Sequence, residues 1–196
     1  MKIEIAEHIK ADAVLAGTYW EDGKGCFIGC LTYSDDPSKV TERFGLPEPS
    51  VRIAEHIFEK LSRIEKEKGI NFFKDVGDAI GKDGKDLSKV HWVFLKDLLE
   101  NLPEQEPEIQ RVIDPVITGM DLLSKGEEWD YASLAAADAA HDAACTAADA
   151  AAYAAYVARL AAYAARFAAY AARTAGAADV EIERQAQSFL QILKQA

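Results

Sequence analysis

The heptads Tyr156-Val157-Ala158-Arg159-Leu160, Tyr163-Ala164-Ala165-Arg166-Phe167 and Tyr170-Ala171-Ala172-Arg173-Thr174 decide the structural class of this chain. They close a segment, Ala132 to Ala178, that is about three-fifths alanine, the residue of highest helix propensity. A seven-residue beat holds one stripe of side chains on one flank of a helix. Asp142, Asp149, Tyr156, Tyr163 and Tyr170 start successive heptads, with Cys145, Arg159, Arg166 and Arg173 beside them. The opposite face carries almost nothing but alanine, without the Glu and Lys of a solvated helix. Small side chains let backbones approach closely, so this face predicts a tightly packed helical interface.

Length and charge extend that expectation. An uninterrupted helix from about Asp130 to Thr174 is roughly 70 Å long at 1.5 Å per residue, whereas a compact chain of this size is about 40 Å across. Acids occupy the N-terminal half (Asp138, Asp142, Asp149) and arginines the C-terminal half. Two antiparallel copies centred near Val157 set Asp142 opposite Arg173 and Asp149 opposite Arg166. Such pairs fix register more than they add strength. The expectation is a homo-oligomer assembled through this helix.

A membrane span is the rival reading of a long apolar stretch. Arg159, Arg166 and Arg173 argue against it, since each costs about 2.5 to 3.5 kcal/mol at a bilayer centre. Lys2, Glu4, Glu7, His8 and Lys10 interrupt any signal-peptide pattern, so a soluble cytoplasmic protein is expected. The formal net charge of −11 disfavours nonspecific binding to nucleic acid or anionic membrane, because no basic surface releases phosphate counterions. Cys26, Cys30 and Cys145 are too few for a disulfide framework.

Upstream, the sequence predicts an amphipathic helix from Ile3 to Ala16 closed by Gly17. A hairpin near 18–32 follows, with strand-prone runs at Thr18–Trp20 and Cys26–Leu31. A short helix runs from Asp36-Pro37 to Gly45. Further helices are predicted at about Ser50–Lys68, Asn71–Ile80, Ser88–Asn101, Glu108–Ser124 with a kink at Pro115, and Asp179–Lys194. The predicted fold class is all-α, mainly helical, with one small β-hairpin and a long alanine-rich helix. Two regions follow: a helical domain over 1–128, and 129–196, where the alanine helix and a short C-terminal helix form a packing or oligomerisation region.

The hairpin is the most informative short segment for function. Tyr19-Trp20-Glu21-Asp22-Gly23-Lys24-Gly25-Cys26-Phe27-Ile28-Gly29-Cys30 gathers aromatics, acids, a lysine, glycines and cysteines in twelve residues. Glycines flanking Lys24 allow backbone N–H groups and the ammonium to converge on a phosphate or carboxylate, and Tyr19 and Trp20 offer rings for stacking on a base. The bland alternative is a tight turn whose glycines serve only φ > 0 and whose aromatics anchor it to the helices. Cys26 and Cys30, four apart, fall on one face of a strand some 13 Å apart and read as buried small hydrophobes rather than a redox or metal pair. Glu55, Glu59, Glu65 and Glu67 read as a solvated helix face.

Asp138, His141, Asp142 and Cys145 project from one flank of the alanine helix and form a weak metal-site candidate. The His-Asp doublet invites comparison with metal-dependent phosphohydrolases of the HD class. That class needs further His and Asp ligands, and His8, His56 and His91 stand in no matching context. One helix rarely supplies a closed site, so no metal and no cofactor is expected.

The Tyr19–Cys30 motif, with Phe44-Gly-Leu-Pro-Glu48, Ile57-Phe-Glu59 and the alanine-rich tail, resembles a family of uncharacterised proteins of bacteria and their phages. The likeness covers nearly the whole chain and implies no established activity. By analogy, small acidic phage proteins counter host defences, some by sequestering nucleotide immune signals between protomers. The expected function is thus an oligomeric binding protein that sequesters a phosphorylated nucleotide-like ligand without turnover. Its expected site combines Tyr19, Trp20, Glu21, Lys24 and Gly25 with Tyr156, Arg159, Tyr163 and Arg166. The alternatives are a metal- or cysteine-dependent hydrolase of such a molecule, and a protein-interaction inhibitor.

Overall fold

The computed structural model describes residues 1–80, 85–102, 107–129 and 178–196. The alanine-rich segment lies outside the described residues, and with it Tyr156, Arg159, Tyr163, Arg166 and the weak metal candidates Asp138, His141 and Asp142. Among the described residues there are eight helices and one two-stranded antiparallel sheet: α1 (Lys2–Lys10), β1 (Trp20–Glu21), β2 (Lys24–Gly25), α2 (Phe27–Thr32), α3 (Ser38–Phe44), α4 (Glu48–Ile64), α5 (Lys66–Ile80), α6 (Val90–Glu100), α7 (Pro107–Lys125) and α8 (Ala178–Gln195). The chain is therefore mainly helical with one small β-hairpin. No described helix is long and apolar enough to cross a membrane.

The chain divides into two compact units, Met1–His91 with Ala177–Ala196, and Trp92–Gly176. This differs from a division at 129, because α8 packs against α4 and α5 rather than standing apart. Its docking is explained by two contacts: Phe189, fully buried, meets the Phe72 ring at 6.4 Å, and Glu183 pairs with Lys68 at 2.6 Å.

The first unit is built around α4 and α5. Val51, Ala54, Ile57, Phe58 and Leu61 recur along α4 at helical spacing and are all buried. On α5, Phe73 stands edge-on to Phe58 at 6.0 Å and to Phe27 of α2 at 5.2 Å. These rings, with Ile5, Val40, Leu46 and Leu193, make the core. Burial of each such side chain stabilises by roughly 1.5 to 3 kcal/mol.

Three boundaries differ from the sequence reading. First, α1 stops at Lys10 instead of Ala16. Asp12 turns into the left-handed region at φ 52°, and Val14 leaves the helix to bridge Gly25, so backbone bonds to the hairpin replace those of a longer helix. Second, the break between α4 and α5 falls at the extended residue Glu65 rather than after Lys68. Gly69 sits inside α5, where an added β-carbon would lie 1.9 Å from the Ser62 hydroxyl oxygen. Third, the hairpin ends at Gly25, and Cys26–Leu31, expected as a strand, supplies the N-cap and all but the last residue of α2. Phe27, Ile28, Gly29, Cys30 and Leu31 are all buried. Burial on every side erases the periodicity that separates a short strand from a short helix.

The second unit contains most of α6, and α7. Helix α7 runs through Pro115. Asp121 binds Lys96 at 2.7 Å and also Lys125, whose ammonium groups hold its carboxyl down at about 2. Gly119 leaves room for the Trp129 ring, which a β-carbon would meet at 1.9 Å.

Candidate functional site

The segment from Asp12 to Tyr33 forms a knot of backbone contacts on α4. Trp20 pairs with Gly25 and Glu21 with Lys24. Between them Asp22 and Gly23 both take positive φ, 50° and 78°, the pair of left-handed residues that a two-residue hairpin turn requires. A third segment joins on the other side. Leu15 N–H donates to the Gly25 carbonyl at 2.8 Å, Gly25 N–H donates to the Ala13 carbonyl at 2.9 Å, and Cys26 N–H donates to the Thr18 carbonyl at 2.7 Å.

The remaining motif glycines are set by packing. A β-carbon on Gly29 would fall 1.2 Å from the Tyr19 carbonyl oxygen, and one on Gly25 would fall 2.2 Å from the same atom. Gly25 N–H is already bonded to Ala13, so it is not available to an anion. For Gly25 the role is therefore the close approach of three backbone segments. Trp20 is likewise engaged: its ring meets Tyr33 edge-on at 4.7 Å and His8 at 5.6 Å, which anchors the hairpin to α1 and the end of α2.

Lys24 stands 3.9 Å from Asp12, and the same carboxylate takes the Lys66 ammonium at 2.7 Å. The hydrogen bond from Lys66, followed by the charges of Lys66 and Lys24, holds the Asp12 carboxyl below its ordinary range. All three side chains are about half exposed or more. Two ammonium groups from different elements therefore converge on one open carboxylate, a geometry that an external anion can also satisfy.

The cysteines sit one helical turn apart, not along a strand. Cys26 N-caps α2 and points its thiol at Glu55 Oε1, 3.5 Å away. Cys30 Sγ donates to the Gly25 carbonyl at 3.1 Å. Burial pushes both thiols up to about 12. They are free and protonated at neutral pH, and a thiol without its thiolate is a poor nucleophile.

Sequence reading missed Glu55. Expected on a solvated face, it is half-buried over Cys26, and burial raises its carboxyl above the ordinary range. Glu59, one turn on, accepts the Gly17 N–H at 2.9 Å. Both flank the apolar stripe formed by Ala54, Ile57 and Phe58, and that adjacency is the sequence signal that locates them at the edge of the buried face.

Tyr19 completes the arrangement. Its backbone is pinned beneath Gly25 and Gly29 while its side chain remains 44% exposed. The Glu55 charge, more than burial, raises its phenol pKa, and Arg52 opposes that effect. Arg52 lies on the exposed side of α4, bonded through Nε to Glu48 at 3.1 Å. The structure thus pins the Tyr19 backbone beside Gly25 and Gly29 with its side chain exposed, sets Trp20 against His8 and Tyr33, and leaves Glu21 and Lys24 at the surface. Among the described residues, no group of three or more His, Cys, Asp or Glu is arranged to hold a metal ion. No protein-family profile, curated protein or solved structure matches this chain.

Proposed function

We propose that this chain is an oligomeric, cytoplasmic binding protein that holds a phosphorylated, nucleotide-like ligand without turning it over. The observation that carries the reading is the rigid presentation of Tyr19. A ring held at the surface by a backbone locked between Gly25 and Gly29 offers a stacking face at little entropic cost. Lys24 and Lys66, gathered around Asp12, supply ammonium groups for an anionic portion. Assembly rests on the alanine-faced heptads, and the immune-signal-sequestering role rests on the resemblance to phage proteins.

Retention without turnover is favoured by the state of the two thiols beside the site. A cysteine hydrolase needs a thiolate at working pH, and Cys26 and Cys30 are held protonated to about 12. The test is a native mass spectrum of the purified chain. A multiple of the 21.4 kDa subunit carrying a small molecule that is recovered intact after heat release is expected. A bare monomer at all concentrations, or release of an altered molecule, overturns the proposal.

A further inference from the structure

Three rings from three elements meet at one corner of the surface. His8 comes from α1, Trp20 from β1, and Tyr33 from the residue that ends α2. Trp20 meets Tyr33 at 4.7 Å with the ring planes 89° apart, and His8 lies 5.6 Å from Trp20 at 78° and 5.7 Å from Tyr33 at 57°. The three planes are thus mutually inclined, as the walls of a box corner are. A ring that meets another edge to face keeps its own face open to the side. A cation set against that face comes within about 6 Å of more than one centroid, the range in which a ring quadrupole attracts positive charge.

Packing alone accounts poorly for Tyr33. It holds φ 56° and ψ 30° at the C-cap, a left-handed position that helix ends give to Gly or Asn. The residue nevertheless stays 56% exposed, so a strained backbone carries a ring that buries little of its area. Strained residues of this kind collect at ligand clamps. The charge around the corner is negative as well. Glu7 precedes His8, Glu21 follows Trp20 and Asp35 lies two residues past Tyr33; all three are exposed and make no ion pair among the described residues.

We infer that His8, Trp20 and Tyr33 form an aromatic corner that binds a quaternary ammonium group. The choice of a methylated cation follows from the walls. Ring faces attract positive charge but accept no strong hydrogen bond, so a primary ammonium entering the corner gives up bonds to water that the faces do not replace. Methyl groups have no such bonds to lose, and they pack on the rings while the charge is kept. The site uses none of Tyr19, Lys24 and Lys66 and goes beyond the binding function proposed above.

The test is an NMR titration of the full chain with choline and with its neutral isostere, 3,3-dimethyl-1-butanol. Choline is expected to shift the ring signals of His8, Trp20 and Tyr33 saturably, and the isostere to bind about fivefold more weakly or less. Tyr33→Gly suits the left-handed backbone while removing one wall, so the far-UV circular dichroism is expected to stay native and choline binding to weaken about fivefold or more. Tyr33→Leu serves if glycine loosens the fold. Acetylated trimethyllysine methylamide is the second probe, and the tighter of it and choline shows whether a peptide side chain or a small metabolite carries the group. No saturable shift at the three rings with either methylated probe overturns the aromatic corner. Equal binding of choline and its isostere, or undiminished binding by both Tyr33 variants, does the same, and each of these results leaves the nucleotide-binding function untouched.

Discussion

The carbonyl oxygen of Tyr19 occupies the space beside Gly29 into which a β-carbon would project, 1.2 Å from where that carbon would sit. Backbone thus packs on backbone between the first hairpin strand and α2, and no side chain of any size fits between them. The motif glycine six residues beyond Gly23 of the turn is a packing requirement of the fold.

Gly29→Ala must push β1 off α2 and is expected to destabilise the protein by about 3 kcal/mol, at the upper end of overpacking costs. Gly23→Ala adds no clash but leaves a side chain at φ 78°, so a smaller loss of about 1 kcal/mol is expected. Denaturant unfolding of the two variants checks the order. Equal effects would show that the approach to Tyr19 relaxes freely.

Cys26 and Cys30 are expected to resist alkylation. With both thiols held near 12, the thiolate fraction at pH 8 is roughly a thousandfold below that of a free cysteine. Iodoacetamide labelling followed by site-resolved mass spectrometry should find both unmodified in native protein and labelled after unfolding. Rapid native labelling of Cys26 would reopen a nucleophilic role.

His91 links pH to stability. It is buried, with Nδ1 3.5 Å from the Ser50 hydroxyl, and burial lowers its pKa to about 4 from 6.5. The unfolded state therefore binds the proton more readily. This contribution is fully present above about pH 6.5, is lost as pH falls toward 4, and amounts to at most about 3 kcal/mol. Glu55, whose carboxyl is raised, acts in the opposite sense, since its folded form favours the proton. Unfolding free energy measured from pH 7 to 4 should fall with decreasing pH, and His91→Asn should flatten the slope by nearly one proton.

Lys24→Ala separates surface pairing from ligand binding. Its 3.9 Å pair with Asp12 is exposed, so stability should change by less than about 0.5 kcal/mol. Binding of an anionic nucleotide should weaken several-fold with the oligomer intact, whereas Asp12→Asn, which frees both lysines, should tighten it. Unchanged affinity in both variants, measured by calorimetry, removes Lys24 from the site.

Some of this was plain in the chain itself. Asp22-Gly23 specified the turn, because two successive left-handed residues admit few other pairs. Pro37 and Gly45 bracketed α3, and the apolar spacing along α4 marked its buried face, since local conformation and periodicity suffice for such features. The thiols also matched their sequence reading as buried small groups, although their spacing proved helical. What only the tertiary structure decided involves partners distant in sequence. The end of α1 depends on Val14 meeting Gly25, the break at Glu65 accompanies Gly69 crossing Ser62, and α2 is a helix although its run looks strand-like. Glu55 left the expected solvated face for the same reason: the thiol that it accepts from lies 29 positions away. Local propensity is written residue by residue, whereas burial and close backbone approach arise when separate segments compete for one space.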